Sequence, residues 1–151
     1  MKKILLLLLI GLSINASQQV EVNADSFEAD EIKKVSYFRG NVHIKKGSDE
    51  INSARLKITF NQKNRPIEYE ATGDVTFKIK TEDQHFEGSS KQIIYQPQKK
   101  IYKATGDVVM IETTKNRTLK GESITINRVT GKSKISGSKN KPVKFIFTVD
   151  E

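Results

Sequence analysis

His43 and His85 are the only imidazoles in the chain, and neither has a nucleophile, base or metal-ligand motif around it. General acid-base catalysis needs such a ring within hydrogen-bond reach of a partner, so both read as solvated strand or turn residues. Asp74 and Asp107 resemble paired carboxylates. Each, however, sits in the same local context, Ala-Thr-Gly-Asp-Val, which predicts equivalent turn positions bonded to nearby backbone. Ser89-Ser90-Lys91 lacks both the nucleophile elbow and the Ser-x-x-Lys pattern. With no cysteine there is no thiolate nucleophile, cysteine metal site or disulfide. The residues predict a noncatalytic protein without a metal or other cofactor.

The chemistry that remains is electrostatic. The chain carries 26 Lys and Arg against 18 Asp and Glu, a formal charge of +8. The lysines are scattered through most of the length, as on a solvated strand face that resists aggregation. Such a surface also attracts acidic or phosphorylated partners. A nucleic-acid partner is not expected, because no aromatic-rich surface with a recognisable motif accompanies the charge.

The elements that must position these groups are set by a repeat. Gly40-Asn41-Val42, Gly73-Asp74-Val75 and Gly106-Asp107-Val108 recur at an interval of 33 residues. After each comes an apolar alternation (Val42 and Ile44; Val75, Phe77 and Ile79; Val108 and Met110) and a polar turn at 46–49, 81–84 or 115–117. A second alternation follows: Leu56, Ile58 and Phe60; Ile93 and Tyr95; Ile124 and Ile126. Ile51-Asn52-Ser53-Ala54, Phe86-Glu87-Gly88-Ser89 and Leu119-Lys120-Gly121-Glu122 align between the two alternations. Ile135-Ser136-Gly137 reads as a truncated fourth copy leading to Phe145, Phe147 and Val149. Period-two alternation with polar partners predicts strands with one dry and one wet face. The expected fold is all-β, with successive antiparallel hairpins stacked into an elongated, folded-over sheet. Gly40, Gly73, Gly106 and Gly137, with Gly88 and Gly121, are expected to let each strand bend where the sheet turns back.

The N-terminus reads as an export signal. Lys2 and Lys3 precede the apolar run Ile4–Leu12, and Ile14-Asn15-Ala16 ends in a small residue. The run is shorter than the roughly 20 residues of a membrane span. The expected organisation is a signal peptide over residues 1–16 and a single domain over 17–151.

The inward-facing residues are large and branched, and both a filled sandwich core and an open apolar groove fit them. An open groove would suit a long apolar ligand. Burying a chain of about 12 carbons is worth on the order of 10 kcal/mol. A stack that does not close into a barrel also leaves two nonidentical edges, one near Val20–Phe27 and one near Phe145–Val149. Unpaired edges favour β-augmentation and head-to-tail association.

Several stretches carry a family resemblance: Val22-Asn23-Ala24-Asp25-Ser26-Phe27-Glu28-Ala29-Asp30, Phe38-Arg39-Gly40-Asn41-Val42, Ile51-Asn52-Ser53-Ala54-Arg55-Leu56, and the two Ala-Thr-Gly-Asp-Val segments. From about Val20 to Ile126 the chain resembles the OstA-like family of periplasmic lipopolysaccharide-transport proteins. The resemblance implies a twisted, taco-like β-jellyroll whose interior receives the acyl chains of lipid A. It implies a lipid-contact role for Val42, Ile44, Leu56, Ile58, Val75, Phe77, Phe86, Val108, Met110, Ile124 and Ile126. It also implies head-to-tail self-association, here through Val22, Phe27, Phe145 and Phe147, in a periplasmic bridge from an inner-membrane bitopic subunit to an outer-membrane barrel subunit. Two alternatives stand beside it. One is an exported structural or glycan-binding module with a filled core. The other is the membrane-tethered subunit of the same pathway, against which the short apolar segment argues.

Overall fold

The computed structural model describes residues 19–150, and the expected signal peptide lies outside the described residues. Among the described residues, ten strands form one antiparallel sheet: β1 (Val20–Asn23), β2 (Ser26–Asp30), β3 (Val35–Lys46), β4 (Asp49–Phe60), β5 (Pro66–Lys80), β6 (His85–Gln96), β7 (Ile101–Glu112), β8 (Arg117–Asn127), β9 (Ser133–Ser136) and β10 (Lys144–Ile146). The main path runs β1-β3-β4-β5-β6-β7-β8-β10, with β2 also paired to β3 and β9 also paired to β8. The turns fall at the expected polar segments.

Strands β3 to β8 are too long for one flat layer, and each is bent near its middle. The pairing register shifts between Arg39 and Val42, Asn52 and Arg55, Thr72 and Val75, Ser89 and Gln92, and Thr105 and Val108. At these shifts the odd-numbered strands carry two successive left-handed residues, with φ of +83° and +48° at Gly40-Asn41, +88° and +47° at Gly73-Asp74, and +88° and +46° at Gly106-Asp107. Asn and Asp tolerate this region best among residues with a Cβ. The first position is restricted further by crowding: a Cβ on Gly73 would lie 2.6 Å from the Cβ of Ala54 on the adjacent strand. Asp25 covers Gly40 and Lys91 covers Gly106 in the same way.

The bends divide the sheet into two walls. The first contains β1, the later halves of β3, β5 and β7, the earlier halves of β4, β6 and β8, and β10. The second contains β2, the complementary halves of β3 to β8, and β9. This explains why β3 and β8 each have two partners on one side: β1 pairs with residues 43–46 and β2 with residues 35–39. The truncated fourth copy is likewise split. β9 ends on the second wall, and the chain passes Gly137 and a Ser138–Lys141 bridge before forming β10 on the first.

The interior between the walls is one apolar cluster that includes Val42, Leu56, Val75, Ile79, Met110 and Ile124, each at most 2% exposed. Gly88, Gly121 and Gly137 do not share the left-handed bend. They serve close approach instead, since a Cβ on Gly88 would meet the Val109 carbonyl oxygen at 2.4 Å and the Phe77 ring at 2.7 Å. The copies also align differently from the sequence expectation at one corner. Ser90, rather than Gly88, takes the place of Ser53, and both buried hydroxyls donate to the carbonyl two residues on, at 2.9 Å. The apolar alternation of Phe145 and Phe147 predicts inward-facing residues, but they are 47% and 55% exposed, because β10 is a three-residue edge strand with nothing among the described residues covering this aromatic face.

The corner geometry predicts a graded response to one added methyl. Gly131 has φ +75° with nothing near its absent Cβ, so it reports left-handed strain alone. Gly73→Ala should cost about 2–4 kcal/mol and Gly131→Ala about 1 kcal/mol. Urea unfolding midpoints measure both, and equal costs would show that packing against Ala54 does not hold the bend.

Candidate functional site

The space between the walls changes character along the stack. Through the middle, the side chains expected to contact lipid pack against one another: Val42, Val75, Val108 and Met110 are at most 1% exposed, and Leu56, Phe77, Phe86, Ile124 and Ile126 at most 4%. Toward the β1–β2 end the walls part and leave a groove of about 980 Å³. Its apolar lining comes from Val20 and Val22 on β1, Phe38 on β3, Ile58 and Phe60 on β4, Tyr69 on β5 and Tyr95 on β6. The volume lies at the upper end of the range for small-molecule sites, about 300–1,000 Å³. Of the expected contacts only Ile58 lines this groove, and Ile44 lines a narrow cleft beneath it. Phe38, Tyr69 and Val20 were not among the expected contacts. Their signal was position, at strand ends beside the first copy, where no complete repeat lies on the other side.

A polar latch marks where the groove stops. Asp49 opens β4 on the first wall and is 3% exposed. It accepts hydrogen bonds from the Tyr102 hydroxyl at 2.8 Å, the Arg128 Nη1 at 2.6 Å and the Lys80 amide at 3.0 Å. Arg128 Nη2 also donates to the Lys80 carbonyl at 2.6 Å. Tyr102 lies on the second wall and Arg128 just beyond it, so the latch joins the walls across the seam. Burial, then the Asp49 carboxylate, push the Tyr102 hydroxyl far above the usual phenol range, which keeps it a donor. Tyr102 stacks on Tyr95 with centroids 4.3 Å apart, and Tyr95 meets Tyr69 at 6.0 Å. This aromatic series runs from latch to groove.

The side chains considered for catalysis are dispersed. His43 pairs with Glu50 across β3 and β4 at 3.1 Å, and His85 is exposed at the start of β6. Asp74 is exposed at its corner, whereas Asp107 is held by Lys141 at 3.1 Å and Lys91 at 3.4 Å. Those two lysines hold its carboxyl below the usual range. Glu112, a further buried carboxylate, accepts from Thr114, from the Lys115 amide at 2.8 Å and from the His85 amide at 3.4 Å. It fastens the β7–β8 turn to β6. Burial alone would raise Glu112, but these hydrogen bonds outweigh it and hold the carboxyl low.

The residues assigned to end-to-end contact divide between two ends. Val22 is half-buried in the groove lining, and Phe27 is 60% exposed against Phe38 at a centroid distance of 4.9 Å. At the other end Phe145 and Phe147 meet each other at 5.1 Å, and Arg117 lies 6.0 Å over the Phe145 ring.

Residues 21–132 match the family model described as LptA/(LptD N-terminal domain) LPS transport protein. Among solved structures, the chain is similar to LptH, the LptA-homologous periplasmic component of the lipopolysaccharide transport device of Pseudomonas aeruginosa. The match has 15% identity and a TM-score of 0.77, and covers 87% of this chain and 96% of that one. Comparison with curated proteins finds no match.

The latch generates a prediction. Tyr102→Phe removes one donor to a buried carboxylate and should cost about 1.5–3 kcal/mol in chemical unfolding. Hydrogen exchange should also accelerate at the Lys80 amide, which bonds the same carboxylate. Unchanged exchange there would show that the seam is held elsewhere.

Proposed function

Because the chain belongs to the LptA/LptD N-terminal domain family of LPS transport proteins, we propose that it is a noncatalytic periplasmic carrier that holds lipopolysaccharide by the acyl chains of lipid A. The observation that carries this reading is the apolar groove between the walls, which runs into the packed interior without a polar barrier except at the latch. Acyl chains enter at the groove and advance as the walls part. They exchange contacts with Ile58 and Ile44 first, and then with the deeper positions from Val42 to Ile126. Movement along such a strip avoids full exposure of each chain to water, which costs about 0.8 kcal/mol per methylene. Residues 1–16 direct the chain to the periplasm, and residues 17–151 act as one domain.

The two ends support a bridging role. One presents β1 and β2 with Phe27, the other β9 and β10 with Phe145 and Phe147. Nonidentical apolar edges join head to tail and extend without closing. In this reading successive copies link the inner-membrane bitopic subunit to the outer-membrane barrel subunit.

A photocrosslinking residue in place of Tyr69 should yield a lipopolysaccharide adduct in cells, while the same residue at the outward-facing Lys57 yields none. Adduct at Phe77 as well would mark the path beyond the latch. No adduct at Tyr69, Phe38 or Phe77 would overturn the carrier reading in favour of a filled structural or glycan-binding module. For assembly, Phe145→Glu with Phe147→Glu should lower the concentration-dependent mass seen by light scattering while keeping the β-sheet circular dichroism. Unchanged mass would remove these residues from the interface.

A further inference from the structure

Lys46 breaks the pattern of the repeat. At the 33-residue interval its counterparts are Ile79 and Glu112, both 0% exposed, so a lysine stands at an inward-facing position. It lies where the walls part, half-buried, with Nζ 5.1 Å from the centroid of the Tyr95 ring. Lys100, in the turn between β6 and β7, and Arg128, beyond β8, line the same groove, and no carboxylate does. Arg128 is engaged by Asp49 and the Lys80 carbonyl. Asp49 already accepts from three donors. Among the described residues neither Lys46 nor Lys100 has an ion-pair partner within 4.0 Å.

We propose that Lys46, Lys100 and Arg128 form a receptor for the phosphate group of an amphiphile whose acyl chains occupy the groove. The inference rests on the carrier reading and adds the group that selects and orients the cargo. Three cations less the neighbouring Asp49 leave an excess of two positive charges, and a phosphomonoester carries about −1.5 to −2 near pH 7. Lys46 and Lys100 supply uncommitted ammonium donors, while Arg128 contributes its charge from within the latch. The local field agrees. Burial lowers the Lys46 ammonium below the usual lysine value, Asp49 partly restores it, and the Arg128 and Lys100 charges lower it further. An incoming anion relieves that mutual repulsion. Charge recognition beside an apolar slot distinguishes a phosphorylated lipid from a neutral one of equal chain length.

Calorimetric titration of the mature protein with dodecyl phosphate, dodecyl maltoside and inorganic phosphate, the amphiphiles kept below micelle formation, tests this. Dodecyl phosphate should bind about tenfold or more tighter than dodecyl maltoside, and Lys46→Gln with Lys100→Gln should remove that preference while leaving maltoside binding unchanged. Lys45→Gln with Lys57→Gln, on the outer face, should leave the preference intact. Equal binding of both amphiphiles to wild type, or an equal loss in the outer-face variant, overturns the receptor and leaves the groove standing. Inorganic phosphate binding as tightly as dodecyl phosphate overturns the lipid headgroup as the source of the anion. Failure of both amphiphiles to bind defeats the carrier reading itself, and the receptor with it.

Discussion

Two adjacent left-handed residues in the middle of a strand are the constraint on which the rest of this structure depends. A strand of 12 to 15 residues would otherwise run straight through the sheet and leave one apolar face without a partner. The Gly-Asn or Gly-Asp pair turns each of β3, β5 and β7, and the extra residue it places on that strand shifts the register so that the hydrogen-bond ladder resumes on both sides of the corner. Repetition at one interval puts the corners in line, so a single sheet becomes two facing walls. Burial of the apolar cluster then follows, because each inward residue of one wall meets the other wall rather than water.

Folding a sheet over creates a seam opposite the corners, and the seam is where rigidity and access compete. Asp49, Tyr102 and Arg128 hold it with charge-assisted hydrogen bonds in a largely buried setting. Nearer the first strands no equivalent latch spans the walls among the described residues, and the interior opens into the groove. A carrier of an apolar ligand needs both regions. The packed portion sustains the fold, and in the proposed carrier role the open portion would let a chain enter without first disrupting the core.

The distribution of charge follows the same division. Most basic residues lie on the wet faces of strands or in turns, where they solvate the sheet and discourage edge pairing. Lys46 differs because repeat phase places it inward, and its setting beside Tyr95 joins a cation to an apolar slot. Chemically similar lysines therefore stand in different settings according to parity along the strand.

The interval between glycines and the alternation on either side of each made the bent antiparallel fold legible in the sequence. These features report backbone conformation and side-chain parity, which are local. The inward positions Val42, Val75, Val108 and Met110 were legible for the same reason. Groove residues such as Phe38 and Tyr69 were not, because their exposure to the cavity depends on where the opposite wall ends. Phe145 and Phe147 kept an apolar alternation but lost their cover at a three-residue edge strand. The sequence by itself determined a stack of strands bent at fixed intervals. Only the tertiary structure decided which part of the interior is filled and which is open, because Asp49 meets Tyr102 and Arg128 across 53 and 79 residues of chain, and no local pattern records so distant a contact.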